Sequence, residues 1–316
     1  MEDPKNLILP PNSYNEKLSI TLTNDYLKKR QKIFSLATVL ISSIGTLLAV
    51  TLLWIYRDIS IQIIFISIFM YCLTMLGITV GFHRYFSHGS FQTNNFIRII
   101  LGILGSMAVQ GSVIHWVSAH RRHHAYTDKQ GDPHSPHLDG GIKGLWYAHI
   151  GWMFDSKVTN FTVFANDLLR DKTIVKIDKM YLYWILLSLL IPAVLGGLLT
   201  STLTGIWQGF LWGGLVRIFL AHHATWSLNS IAHFYGTSPF QTQERSTNNI
   251  FLVIPTFGEA WHHNHHAFPN SAKFGLYWWQ IDFGYWLIRI LEISRLVFQV
   301  KVPSKEIIEL KKVQSN

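Results

Sequence analysis

The residues in this chain best suited to chemistry are its histidines. There are sixteen, most of them in clusters. In His115-Trp-Val-Ser-Ala-His120-Arg-Arg-His123-His124, the last three histidines stand at i, i+3 and i+4. On a helix those positions share one face, so three imidazoles point into one small volume. Neutral imidazole is the commonest side-chain ligand for a transition metal. One triplet fits a solvated, His-rich helix face equally well, so the decision rests on whether other segments supply more ligands. They do. His83-Arg-Tyr-Phe-Ser-His88 has the spacing H-x4-H, and His262-His263-Asn-His265-His266 repeats the H-x2-H-H of the triplet. Asn229-Ser-Ile-Ala-His233 adds one more.

The number of candidate ligands points to more than one ion. Zinc closes at about four ligands, or at three plus a water. The three clusters and His233 exceed that, whereas two ions with four or five imidazoles each fit. A pair of redox-active ions beside a membrane can bind and activate O2, which no side chain does alone. The protein then has to present one carbon of an inert chain in a dry channel.

Composition says where such a site would sit. The chain has 316 residues, 49% hydrophobic and only 14% charged, against about 25% charged in a soluble domain. Twelve Trp and twelve Tyr suit the membrane–water interface. The single cysteine, Cys72, allows no intramolecular disulfide and no thiolate metal site. The net charge of +9 comes with no nucleic-acid-binding motif. On a membrane protein it faces anionic lipid or a phosphate-bearing substrate, and nucleic acid is not an expected partner.

In chain order, residues 1–32 are polar, carry no apolar export-signal core, and end in Lys28, Lys29, Arg30 and Lys32. Residues 33–56 and 61–82 are uncharged runs long enough to cross a bilayer, joined by Arg57-Asp58-Ile-Ser60. The Lys/Arg excess before the first run places the N-terminus in the cytoplasm. Residues 96–114 read as a helix at the interface or buried under a cytosolic cap. Residues 125–180 are polar, with a loop at Gly131-Asp-Pro-His-Ser-Pro136. A second hairpin follows at 181–204 and 206–224, interrupted by Arg217 and His222-His223. Trp278-Trp279 and Trp286 suggest interfacial helices, and the basic tail from Lys301 reads as loosely ordered. The expected fold is an all-α integral membrane protein of one domain, 1–316. Four transmembrane helices form two hairpins, a cytosolic helical cap holds the histidines, and both termini are cytoplasmic. Every cluster then follows an even number of crossings, so all share the cytoplasmic face.

Longer motifs surround the clusters: Gly77-Ile-Thr-Val-Gly-Phe-His-Arg, Asp132-Pro-His, Gly151-Trp152, Ala224-Thr-Trp-Ser-Leu-Asn-Ser-Ile-Ala-His233 and Gly258-Glu-Ala-Trp-His. Over about 70–295 the chain resembles the membrane-bound fatty acid desaturases. The Arg after the first His and the Asn-Ser-x-Ala-His segment make it similar to the stearoyl-type delta-9 group. The resemblance implies a di-iron centre cycling between Fe2+ and Fe3+, with O2 as co-substrate. One iron would take His83, His88, His120, His124 and His265. The other would take His123, His233, His262 and His266, with Asn229 acting through a water. His263 would orient a ligand rather than bind. Gln110, Trp116 and Thr225, with Trp226 beside them, stand where the family bends its acyl chain. Tyr71 stands where a bulky residue closes the tunnel. It lies twelve residues before His83, roughly 18 Å of helix, room for about nine methylenes and a C16–C18 chain.

The resemblance breaks at the carrier. Animal acyl-CoA enzymes place an Arg-Asp pair where this chain has Ser118-Ala119, and an Arg-Lys pair where it has Ser156-Lys157. Lys157 alone remains as a possible carrier contact, and CoA, acyl-carrier protein and lipid all stay open. The expected function is O2-dependent insertion of a cis double bond, delta-9 by resemblance, into a saturated fatty acyl chain. No haem, flavin or iron–sulfur segment is evident. Electrons would therefore come from a separate donor of ferredoxin, rubredoxin or cytochrome b5 type and its reductase. A hydroxylase of the same superfamily would use the same ligands. A histidine-rich metal transporter would need ionisable residues lining its spans, and the first two spans have none.

Overall fold

The computed structural model describes residues 19–155 and 157–313; residues 1–18, Ser156 and 314–316 lie outside them. A short strand β1 (Thr21–Leu22) precedes α1 (Asp25–Tyr56). Asn24 caps α1, its side chain accepting from the Leu27 N–H at 3.1 Å. Asp25 stands in its first turn, where a negative charge complements the helix dipole. The helix stops at Arg57, which adopts a left-handed φ of 51°. The buried positions of α1 are small: Ser35, Ser42, Gly45 and Ala49. Small residues let helices approach closely where lipid tails offer no hydrophobic drive. A Cβ on Gly45 would lie 2.3 Å from Leu215 Cδ1. Leucines and isoleucines cover the opposite, exposed face.

Helix α2 (Ile61–Leu76) runs on without a break into a π-helical segment, Gly77–Ser87, which carries the first histidine cluster. Strand β2 (Gln92–Thr93), α3 (Asn95–Ser106), α4 (Val113–Tyr126) and α5 (Gly141–His149) follow. Then come β3 (Val158–Thr159), the short helices α6 (Phe161–Phe164) and α7 (Asn166–Arg170), and α8 (Lys172–Lys179). Helix α9 (Tyr181–Thr200) and α10 (Leu203–Gln208) make the second hairpin. Through a π-helical segment, Gly209–Val216, α10 continues into α11 (Arg217–Ser230). The cap closes with α12 (His262–Ala267), α13 (Phe283–Ile293), β4 (Val297–Phe298) and α14 (Lys305–Lys311). The strands form two antiparallel pairs, β1 with β3 and β2 with β4.

The fold is the expected all-α membrane architecture with four helices long and apolar enough to cross a bilayer, but their bounds differ. They are Asp25–Tyr56, Ile61–Ser87, Tyr181–Thr200 and Leu203–His233. The second and fourth outrun the apolar stretches because they continue as helix past the lipid-compatible residues and carry ligand histidines into the cap. Arg217 and His222 do not interrupt the fourth helix; both are buried inside it. In the interfacial region expected over 96–114, α3 and the start of α4 are joined by a turn at 107–112. Trp286 lies on α13, whereas Trp278 and Trp279 lie in an irregular segment. As far as Val313 the tail is not loose. Lys311 Nζ donates to the Ala267 carbonyl at 2.6 Å, and Val313 N to Pro239 O at 3.0 Å.

The main core packs Phe82, Phe86, Leu101, Val117 and Ile177 between the first π-helical segment, α3, α4 and α8. Arg121 ties the first two histidine clusters together from the same side. It donates to the carbonyls of Phe86 (2.7 Å) and Ser87 (3.1 Å) and to Asp167. The core therefore fixes the two helices whose histidines face each other.

Candidate metal centre

Nine histidines converge into two adjacent groups. In the first, His83, His88, His120, His124 and His265 bring ring nitrogens within 4.8 Å of one another. In the second, His123, His233, His262 and His266 do the same. Helix periodicity deals them out. His120 and His124, one turn apart on α4, serve the first group, and His262 and His266, one turn apart on α12, serve the second. His123 and His265 face the other way, so each helix serves both groups. The π-helical widening at Gly77–Ser87 turns His83 toward His265, while His88 caps that segment and faces His120.

The Nε2 atoms meet head to head: His88–His120 at 2.8 Å, His265–His124 at 2.9 Å, His83–His265 and His233–His262 at 3.0 Å. Nitrogens gathered around one point cannot all be satisfied by hydrogen bonds to each other, but a single cation satisfies them together. His123 Nε2 is buried without a hydrogen-bond partner among the described residues. Burial first, and then the neighbouring imidazoles, hold His88, His120, His124, His262, His265 and His266 well below the usual histidine range. They stay neutral, the form that binds metal. The donor set fits a transition-metal pair.

Carboxylates hold the outer nitrogens of three of the ligands. Asp132 lies 3.0 Å from His123 Nδ1, Asp128 lies 3.3 Å from His233 Nδ1, and Glu259 meets His83 Nδ1. A carboxylate on Nδ1 fixes the tautomer, so Nε2 presents its lone pair inward. Burial pulls His123 down, but the charge and hydrogen bond of Asp132 more than reverse this and raise it. Glu259 is itself held by Arg84, and Asp128 by the Arg245 N–H at 2.9 Å. Glu259 and His262 also have the Glu-x-x-His spacing of soluble di-iron bundles, yet the Glu259 carboxylate serves His83. The motifs Asp132-Pro-His and Gly-Glu-Ala-Trp-His contain two of these acids, but nothing in their spacing tells which imidazole each one meets.

His263 faces away from both groups. Its Nδ1 lies 2.9 Å from the Ser246 carbonyl, and its Nε2 accepts from the Phe240 N–H at 3.1 Å. It pins the 240–246 loop. That loop carries Glu244, 3.8 Å from His266 Nδ1, so His263 reaches a ligand only at one remove.

A cavity of about 80 Å³ opens beside the first group and reaches His120. Gln110, Trp116, Thr225, Trp226 and Asn229 line it. So does His115. Gln110 bridges the wall, its Nε2 donating to Thr225 Oγ1 at 2.9 Å and its Oε1 accepting from Trp116 Nε1 at 3.3 Å. Trp116 stacks on His120 with centroids 5.1 Å apart. Ser118 is fully buried and Ala119 faces the cavity. Lys157 is exposed at an adjoining hollow with Gln31 and Trp152. Tyr71 is not among the residues lining the cavity. Its hydroxyl donates to Pro255 O at 2.6 Å and its ring packs on Phe257.

Comparison with known proteins agrees with this geometry. A family model described as fatty acid desaturase matches residues 59–292. The chain is 47% identical over 302 residues to a hex-5-enoyl-[acyl-carrier protein] acetylenase of Moorena producens (strain JHB), covering 93% of this chain and 94% of that protein. It is 37% identical over 248 residues to Delta-9 acyl-lipid desaturase 1 of Arabidopsis thaliana, covering 76% and 75%. It is 37% identical over 235 residues to an acyl-CoA C20 Delta5-desaturase of Anemone leveillei, covering 73% and 71%. The two imidazole groups therefore belong to an oxidoreductase, and the chain is a member of the fatty acid desaturase family.

Proposed function

We propose that the protein is an O2-dependent fatty acyl desaturase of a single domain, with two iron ions in the two imidazole groups on the cytoplasmic face. His83, His88, His120, His124 and His265 hold one ion. His123, His233, His262 and His266 hold the other, with Asn229, which lines the cavity, reaching it through a water. When bound, the iron pair supplies the binding and activation of O2. Each double bond takes two hydrogens from the acyl chain and consumes one O2, two electrons and two protons, releasing two waters. The electrons come from a separate donor of ferredoxin, rubredoxin or cytochrome b5 type. The chain's own residues do the rest. Carboxylates orient the imidazoles, and the core behind α4 excludes water. Gln110, Trp116 and Thr225 bend the wall against which the acyl chain lies, and Trp226 completes it. Gln110 is satisfied by protein partners, so no water is needed there.

The observation that carries this reading is the cavity running to His120 past the Gln110–Thr225 bridge. The similarity to the stearoyl-type group supports a cis double bond at carbon nine of a C16–C18 chain. Mass spectrometry of fatty acids, with double-bond position, in a desaturase-deficient host tests it. New monoenes that disappear with His120→Ala are expected. Hydroxy acids without monoenes would replace it with the hydroxylase reading.

A second reading has a shorter chain on an acyl-carrier protein. Tyr71, the residue expected to close a tunnel long enough for a C16–C18 chain, does not line the cavity. From Gly77 the helix between Tyr71 and His83 is π-helical, so the roughly 18 Å of an ideal α-helix does not measure this site. Ser118 and Ala119 offer no charge for CoA, and the relative from Moorena producens is named for a six-carbon acyl group on a carrier protein. That name also makes a triple bond a product to score. Purified protein offered the same acyl group on CoA, carrier protein and phospholipid separates the readings.

A further inference from the structure

The turn between α3 and α4 is held in a conformation its sequence does not favour. Val109, a β-branched residue, has φ 62°, in the left-handed region that such side chains rarely enter. It is buried and lines the cavity next to Gln110. Strain of this kind costs on the order of 1–3 kcal/mol and persists only where the surroundings impose it.

The surroundings are the second hairpin. Met107 O accepts from Ser188 Oγ at 2.6 Å and from Arg217 Nη1 at 3.2 Å. Ala108 O accepts from His222 Nε2 at 3.1 Å. Gly111 N donates to the Tyr181 hydroxyl at 2.9 Å. Arg217 is fully buried, and no carboxylate among the described residues pairs with it. Its remaining bonds go to Ser188 O (3.1 Å), Ser188 Oγ (2.6 Å) and Gly213 O (3.2 Å). A guanidinium kept inside a span without a counter-charge is costly and marks function. Arg217, Ala221 and Thr225 recur every four residues on one face of α11. The face that anchors the turn therefore also carries the hydroxyl that holds Gln110.

We propose that Arg217 and His222 are positioning residues that clamp the 107–111 turn in its strained form and so fix which carbon–carbon bond of the acyl chain lies beside the metal centre. They touch neither metal ligand nor substrate. They act through the Val109–Gln110 wall, and the proposal rests on the reading of this cavity as the acyl site. Relaxation of Val109 toward its preferred φ moves that wall, and a shift on the order of 1 Å at a reacting centre changes rates about 100-fold. Loss of the clamp therefore shows as a change of double-bond position and not only as loss of product.

The test expresses wild type, Arg217→Lys, Ser188→Ala, His222→Gln and Gln110→Leu in a desaturase-deficient host. Double-bond position and the iron content of purified protein are measured for each. The clamp variants are expected to raise minor positional isomers by about 10-fold, with iron content unchanged. Lower total product at unchanged positional composition in Ser188→Ala and His222→Gln overturns the proposal, and these two decide it should Arg217→Lys fail to accumulate. If Gln110→Leu moves the double bond and the clamp variants do not, only the clamp is wrong. If none moves it while iron is retained, the cavity reading itself falls.

Discussion

Arg84 donates to the Glu259 carboxylate at 3.1 Å, and the other oxygen of that carboxylate meets Nδ1 of His83, the residue before Arg84. The first histidine cluster and the segment before the third are thus locked by one acid. Arg84 also pairs with Asp282 at 2.8 Å and lies over the Phe274 ring. Arg84 and these three partners are all buried. Arg84→Met leaves two buried carboxylates without their cation, and breaking such a pair costs about 3–5 kcal/mol. It is expected to abolish accumulation of folded protein, read by size-exclusion in detergent. Glu259→Gln keeps the shape and removes the charge. It is expected to weaken iron binding about 10–100-fold, read by metal titration.

Asp132 does for the second group what Glu259 does for the first. Its Oδ1 lies 3.0 Å from His123 Nδ1 and also accepts from the His134 N–H at 3.0 Å. Asp132→Asn is expected to weaken the second ion by about 10–100-fold and to spare the first. Iron per protein should fall from near two toward one under limiting metal. Equal loss from both groups, resolved by Mössbauer spectroscopy of partly loaded protein, would contradict separate second-group control by Asp132.

Thr225 faces the cavity and holds Gln110, but no imidazole depends on it. Thr225→Trp fills the cavity proposed to take the acyl chain. Expected is at least about a 100-fold loss in kcat/KM with iron content intact, as for a misplaced reacting group. Loss of iron together with activity would show that the residue supports the metal centre instead.

Acid should loosen the metal-stripped protein. His88, His120, His124, His262, His265 and His266 are held well below 6.5 by burial and then by one another. Below pH 6.5 the unfolded chain takes up protons that the folded chain does not, so stability rises with pH through this window and falls as pH drops. His123 works the other way. Its raised value contributes stability below 6.5 that is lost as pH climbs, but it is one group against six. The melting temperature of chelator-treated protein is expected to fall steadily from pH 7.5 to 5.5. A flat profile would mean that the imidazoles are not desolvated in the stripped state.

Much of the site was legible before folding because its information is local. The i, i+3, i+4 spacing of His120, His123 and His124 follows from helix geometry, and the apolar runs follow from bilayer thickness. The surplus of histidines over one zinc follows from counting. Ligand type, membrane setting and all-α class are therefore readable from residue types and their spacing alone. The tertiary structure decided the partners. Glu259 and His83 are 176 residues apart and Gln110 and Thr225 are 115 apart, and no periodicity links positions so distant. It also decided that Tyr71 bonds to Pro255, that His263 turns from the ligands to the 240–246 loop, and that Arg217 sits buried inside the fourth helix. Each of these depends on which helix faces packed together, and packing is a property of the whole chain.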